Sequence, residues 1–225
     1  VLPKEEMLEI KPNFKKLQIG IPKESSFQEN RVSLTPDSVG LLVLNGHAVV
    51  IQEGAGAASN FSDKEYADKG AKIVSSKEEV FQADFILKIE PPIKSEISIM
   101  QDRQKLISAI QVSTQSSEYF NMMNKKRVCA FGFEFIEDNQ RKLPIVRSMS
   151  EIAGNTSLLI AGEYLSNIND GKGLMLGGIS GLSPTSVVII GAGTVGEYAC
   201  RTALGLGASV MVFDNSLSKL RRLQN

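Results

Sequence analysis

The residues best suited to chemistry stand near the end of the sequence. Gly191-Ala192-Gly193-Thr194-Val195-Gly196 is a G-x-G-x-x-G turn, and Asp214 follows Gly191 by 23 positions. Gly191 permits a tight turn out of a strand, a bare backbone at Gly193 lets a pyrophosphate come close, and Gly196 lets the next helix pack near the sheet. The first turn of that helix offers N–H groups and a partial positive charge to phosphate oxygens. A carboxylate ending the following strand accepts hydrogen bonds from an adenosine ribose and repels a 2′-phosphate, which favours NAD over NADP. A glycine turn alone is common and structural. Its setting makes this one a dinucleotide site: the β-branched run Val187-Val188-Ile189-Ile190 precedes it, helical composition runs from Val195 to Leu206, and a strand from Ser209 to Phe213 leads to Asp214.

Holding such a turn requires an α/β framework, and the rest of the chain has that pattern. Short apolar runs over 17–21, 48–51, 72–74, 85–89, 106–110 and 128–131 read as strands, and 36–45, 62–70, 77–82 and 118–125 read as helices. Thr35 before Pro36 is a helix start, Asn45-Gly46 is a stop, and Ser62 with Glu65 makes a capping box. This alternation predicts a mostly parallel sheet with helices on both faces. The run Val187–Ile190 predicts a strand buried on both faces. A longer helix over 150–167 changes the pattern and places a domain boundary near 145. The expectation is an α/β chain: a Rossmann-like parallel-sheet domain over 1–145, then a doubly wound dinucleotide-binding domain over 146–225. With two strands and one crossover, the second domain reads as incomplete.

Composition narrows the partners. Formal net charge is zero, which gives no reason to expect nucleic acid or an anionic membrane. No apolar run reaches membrane-spanning length, and the charged start of the chain has no signal-peptide core, so a cytoplasmic protein is the default. Cys129 and Cys200 have no metal or redox spacing and lie in apolar stretches, so buried thiols are expected and no metal site is. The single histidine, His47, precedes a strand and reads as structural.

Several segments, taken in order, resemble the alanine dehydrogenase and nicotinamide nucleotide transhydrogenase family. They are Ile19-Gly20-Ile21-Pro22-Lys23-Glu24, Gln28-Glu29-Asn30-Arg31-Val32, Leu34-Thr35-Pro36, Asn45-Gly46-His47, Glu53-Gly54-Ala55-Gly56, Met149-Ser150-Glu151-Ile152-Ala153-Gly154 and Leu176-Gly177-Gly178. The match runs over about residues 17 to 225, and the Met149–Gly154 segment looks more like the dehydrogenase branch. The resemblance implies NAD-dependent, reversible oxidative deamination of L-alanine to pyruvate and ammonia, and a homo-oligomer, hexameric for alanine dehydrogenase. It also implies a C-terminal part outside this sequence, on the same chain or a separate fragment. Arg31 falls at the position that holds the substrate carboxylate, a role suited to its bidentate fork, although locally it could be a loop-capping surface arginine. Met149 matches a residue beside nicotinamide and substrate. Ser150, Asp214, Asn215 and Lys219 match cofactor contacts.

Two positions depart from the family. Its catalytic lysine follows the strand in a leucine-lysine-valine-lysine-glutamate-proline segment; here Leu87-Lys88-Ile89-Glu90-Pro91-Pro92 keeps the first lysine and puts Glu90 at the second. The catalytic histidine position is Gln111, in Ile110-Gln111-Val112. Glutamine is no base near neutral pH, and Glu90 becomes one only if burial raises its pKa. Three readings therefore follow the leading one: an NAD(H)-binding component of a transhydrogenase, a non-catalytic NAD-binding module and, more weakly, a saccharopine dehydrogenase-like enzyme.

Overall fold

The computed structural model of the chain describes residues 16–26 and 28–224. The chain divides into two compact units, Val1–Phe133 and Glu134–Asn225.

The first unit alternates short strands and helices. In order these are β1 (Gln18–Ile21), α1 (Pro36–Leu44), β2 (Ala48–Gln52), α2 (Asp63–Asp68), β3 (Lys72–Val74), α3 (Lys77–Val80), β4 (Phe85–Leu87), α4 (Lys94–Ile99), β5 (Lys105–Ser108), α5 (Ser117–Lys125) and β6 (Cys129–Gly132). The six strands form one parallel sheet in the order β3-β2-β1-β4-β5-β6. The chain winds outward from β1 in one direction, then restarts at β4 in the other. Loops leaving the carboxyl ends of β1 and β4 therefore part, and a crevice opens between them.

Local chemistry explains the element ends. Thr35 Oγ1 accepts the Ser38 N–H at 3.4 Å and caps α1, which stops at Gly46 with φ +85°. The Ser62–Glu65 capping box closes both ways, Glu65 N–H to Ser62 Oγ at 3.3 Å and Ser62 N–H to Glu65 Oε2 at 2.7 Å. Ile21, Val39, Ile51 and Tyr66 form one buried cluster; Phe81, Ile86, Ile97 and Leu106 form another. The sequence reading omits α4, because Pro91-Pro92 masks its approach; its first turn is fixed by the Ile93 N–H donating to Glu96 Oε2 at 3.0 Å.

The second unit holds α6 (Pro144–Leu165), β7 (Ser186–Ile190), α7 (Thr194–Gly205), β8 (Ser209–Phe213) and α8 (Leu217–Leu223). The helix expected over 150–167 begins earlier, at Pro144, where a proline is tolerated in the first turn. Parallel β7 and β8 turn Val187, Ile189 and Val210 onto Leu158, Ala199 and Ala203. Their other face corrects the expectation of double burial: Val188 and Ile190 are 57% and 89% exposed, and Met211 and Phe213 point the same way. The residues carry the pattern of a strand covered on both sides, and within the described residues one side is covered. The thiols also differ from expectation. Cys129 is exposed on the edge strand β6, while Cys200 is half-buried and burial pushes its thiol pKa up.

The α6–α7 contact sets where the glycine turn sits. A Cβ on Gly154 would stand 2.5 Å from the Val195 carbonyl oxygen and 2.8 Å from Tyr198 Cβ. Gly154→Ala is therefore expected to cost about 1–3 kcal/mol by overpacking. Urea denaturation of the second unit's fluorescence-labelled variant would register it as a lower midpoint at unchanged slope.

Candidate functional site

In the first unit the chemistry-bearing side chains gather at the crevice between β1 and β4. Lys88, just past β4, is 1% exposed, and its Nζ lies 3.0 Å from Glu24 Oε2 and 3.2 Å from Glu96 Oε2. Glu24 follows β1, and Glu96 stands on α4. Each carboxylate is itself tied down. Glu24 accepts the Ile89 N–H at 2.6 Å and the Glu90 N–H at 3.4 Å. Glu96 accepts Lys77 Nζ and Ser25 Oγ, both at 2.8 Å. Burial by itself would raise the Glu96 pKa, but the Lys88 charge and the hydrogen bonds from Lys77, Ser25 and Ile93 outweigh it and hold the carboxyl below the ordinary range. A buried lysine needs such partners, because an unpaired charge there would be strongly destabilising.

Beside this cluster lies a cavity of about 490 Å³. Lys88, Glu90, Gln111, Ser25 and Tyr119 are among the residues that line it. Gln111 takes a left-handed backbone, φ 51°, an uncommon conformation for a residue of its type. Its carbonyl accepts both the N–H and Oγ1 of Thr114 at 2.9 Å, which holds the turn. Burial pushes the Glu90 carboxyl pKa up; the charges of Glu29 and Glu24 and a hydrogen bond to Glu29 add to that, and Arg31 partly opposes it. Arg31 donates Nε to Glu29 Oε1 at 2.8 Å and Nη2 to Glu29 Oε2 at 2.6 Å. The fork holds Glu29 ionised, below the usual carboxylate range.

The second unit presents the glycine turn. Gly191 has φ +106°, which a side chain would strain, and a Cβ on Gly196 would collide with the Gly191 carbonyl oxygen. A Cβ on Gly193 would meet nothing within 4 Å, so that backbone faces open space. Thr194 and Val195 begin α7, and Ser150, from α6, lines the same cavity as Gly191, Gly193 and Thr194. Ser150 Oγ donates to the Val146 carbonyl at 2.8 Å. Asp214 Oδ2 accepts the Ala192 N–H and Oδ1 the Ser216 N–H, both at 2.7 Å, and these bonds lower its pKa. A carboxylate has about four acceptor positions, so capacity remains for ribose hydroxyls. Asn215 shares a hollow with Gly191 and Asp214, and Lys219 Nζ stands 3.9 Å from Asp214 Oδ2. A Cβ-free cradle, a helix start and a fixed carboxylate thus fit a dinucleotide.

The structure joins the sequence candidates in two groups. Arg31, Glu90 and Gln111 belong to the first unit; Met149, 40% exposed on α6, belongs with Ser150, the glycine turn, Asp214, Asn215 and Lys219 to the second. Sequence reasoning missed Glu24, Glu29 and Glu96. The available signals were the position of Glu24 directly after the first strand and a lysine at the end of a buried strand, which must find carboxylates. His47 Nδ1 accepts the Leu17 N–H at 3.4 Å, which links the turn before β2 to the approach of β1. Among the described residues no group of three or more His, Cys, Asp or Glu side chains could hold a metal, and no helix is long and apolar enough to cross a membrane.

These features define a two-unit α/β protein with parallel sheets, whose polar groups gather where strands end. The chain belongs to the alanine dehydrogenase/PNT family. The model of the family's N-terminal domain matches residues 20–153 and that of its C-terminal domain matches 157–225. The chain is 38% identical over 208 residues to the alanine dehydrogenase of Methanococcus maripaludis, covering 92% of itself and 56% of that protein. To alanine dehydrogenase 2 of Staphylococcus aureus it is 34% identical over 209 residues, covering 93% of itself and 56% of that protein. Among solved structures, an L-alanine dehydrogenase superposes with TM-score 0.84 at 36% identity, over 92% of this chain and 57% of the other. A transhydrogenase from Sinorhizobium meliloti does so with 0.80 at 25%, over 92% and 61%. The chain spans about half the length of the curated relatives it matches.

The Lys88 cluster yields a stability test. Glu96→Gln leaves Lys88 with one carboxylate, at an expected cost of about 3 kcal/mol near neutral pH. Because the folded-state pKa of Glu96 is depressed, its contribution is present above the ordinary value of 4.5 and lost as pH falls through the lowered one. Urea unfolding at several pH values should show wild type and variant converging in acid.

Proposed function

We propose that this chain supplies the substrate-binding and NAD-binding parts of an amino-acid dehydrogenase that converts L-alanine, or a similarly small amino acid, to the oxo acid and ammonia. The observation that carries the reading is Glu90 lining the crevice cavity with its carboxyl pKa pushed up by burial and by the Glu29 and Glu24 charges, and with the Arg31 charge close enough to oppose that rise. A guanidinium fork suits a ligand carboxylate, and a carboxyl group of raised proton affinity suits proton transfer near neutral pH. NAD supplies the hydride acceptor. The backbone at Gly191–Gly196 and the first turn of α7 would hold its pyrophosphate, and Asp214 its adenosine ribose. The chain's own residues must orient the amino acid, take its proton and activate the water that replaces ammonia. With Gln111 where relatives of this type are expected to carry histidine, the proton falls to Glu90.

Gln111 also favours a second reading, an NAD(H)-binding component without amino-acid chemistry, akin to the transhydrogenase likeness. NADH formation by the protein separates the two, screened over L-alanine and other small amino acids at alkaline pH. Turnover that Glu90→Gln abolishes supports the first. NAD binding by calorimetry with no turnover on any amino acid supports the second.

Cofactor choice gives an independent check. Asp214→Ala is expected to weaken NAD about tenfold, the loss of one charge-assisted hydrogen bond, and to narrow the preference over NADP. Titration of both nucleotides against wild type and variant measures it, and an unchanged NAD/NADP ratio would contradict the role of Asp214.

A further inference from the structure

We propose that Arg222 is a positioning residue for the dinucleotide. By holding the Ala192 carbonyl it aims the Gly193 N–H at the pyrophosphate, and by pairing with Glu197 it cancels a carboxylate in the first turn of α7. The inference rests on the reading of the glycine turn as an NAD site.

Ala192 stands inside the turn and is 0% exposed. Backbone polar groups buried in this way need partners. For Ala192 both partners come from beyond β8. Its N–H donates to Asp214 Oδ2 at 2.7 Å, and its carbonyl accepts Arg222 Nη2 at 3.3 Å. In a planar trans peptide the carbonyl of one residue and the N–H of the next point in opposite directions. A carbonyl drawn towards α8 therefore turns the Gly193 N–H away from α8, to the side where Gly193 lines a cavity with Ser150 and Thr194. Arg222 is not among the described residues that line this cavity, so it acts through the peptide and not by touching the ligand.

The same guanidinium settles a conflict of charge. Glu197 is the acidic residue in the first turn of α7. A carboxylate there gains from the positive potential of the helix start, but a phosphate is drawn to the same potential and is repelled by the carboxylate. Two cations answer it. Arg201 Nη2 lies 2.7 Å from Glu197 Oε1, and Arg222 Nη2 lies 3.1 Å from Glu197 Oε2. Arg201 is one turn further along the same helix; Arg222 is in the last turn of α8. Together the two arginines and the glutamate carry one net positive charge beside the turn. Without Arg222 they carry none, and the Ala192 carbonyl loses its donor. One side chain thus orients the peptide that meets a pyrophosphate and supplies the charge that favours it.

The test is binding of NAD to the chain by calorimetry, with adenosine as a second probe followed by ligand-observed NMR. Adenosine keeps the ribose and has no pyrophosphate. Arg222→Ala should weaken NAD about tenfold and leave adenosine within about twofold. The NAD affinity of wild type should also fall more steeply with added salt than that of Arg222→Ala, because the net charge beside the turn is gone from the variant. Glu197→Gln, which leaves Arg222 its bond to Ala192, should bind NAD as well as wild type or more tightly. In protein labelled with 15N-glycine, the Gly193 amide proton should move downfield as NAD saturates wild type. An unchanged NAD affinity in Arg222→Ala, or an equal loss of NAD and adenosine, overturns the proposal. A Gly193 amide that NAD does not move overturns the aiming of that N–H, whether or not Arg222→Ala folds. A loss of NAD in Glu197→Gln as large as in Arg222→Ala overturns the charge cancellation. Wild type that binds adenosine and not NAD, or neither, overturns the dinucleotide reading itself.

Discussion

Everything at the crevice hangs on the charge of Lys88 being buried. An ammonium 1% exposed requires carboxylates, and it draws one from each side, Glu24 from the loop after β1 and Glu96 from α4. Those bonds tie the two strands at the switch of sheet direction to the helix that closes the crevice. Glu24 in turn fixes the backbone of Ile89 and Glu90. The direction of Glu90 into the cavity is therefore a consequence of Lys88 needing partners. A hydrophobic replacement of similar size would fill the space but release Glu24 and with it the segment that carries Glu90.

The second unit uses the same device with the charges simplified. Asp214 closes the glycine turn by accepting the Ala192 N–H, so the carboxylate proposed to meet a ribose also holds the loop proposed to cradle a phosphate. Arg222, from α8, adds a bond to the Ala192 carbonyl at 3.3 Å and a 3.1 Å ion pair to Glu197 on α7. Both units thus place fixed carboxylates at the carboxyl ends of parallel strands, where the backbone supplies N–H groups and the helix starts supply positive potential.

How much of this was legible in the sequence depended on the range of the interaction. Caps and turns are local, so Thr35, Ser62, Glu65 and Gly46 announced their helices correctly, and the glycine turn announced its strand, helix and acid. The Lys88 cluster was not legible, because its partners are distant in sequence and one of them rides on α4, hidden behind Pro91-Pro92. The family resemblance located Glu90 and Gln111 as substituted positions but not the burial and the Glu29 charge that push the Glu90 carboxyl pKa up. Burial was the weakest inference. An apolar run states how much cover a strand wants, as at Val188 and Ile190, and an apolar neighbourhood did not keep Cys129 inside, since β6 is an edge strand.

The proposed function turns on hydride transfer from an amino acid to NAD. The most direct test supplies L-alanine deuterated at its α-carbon, with NAD, to the protein and reads the NADH by mass spectrometry. The account predicts NADH one deuterium heavier and oxo acid in equal amount. Bound NAD with no deuterium acquired from alanine or from any other small α-deuterated amino acid would contradict it.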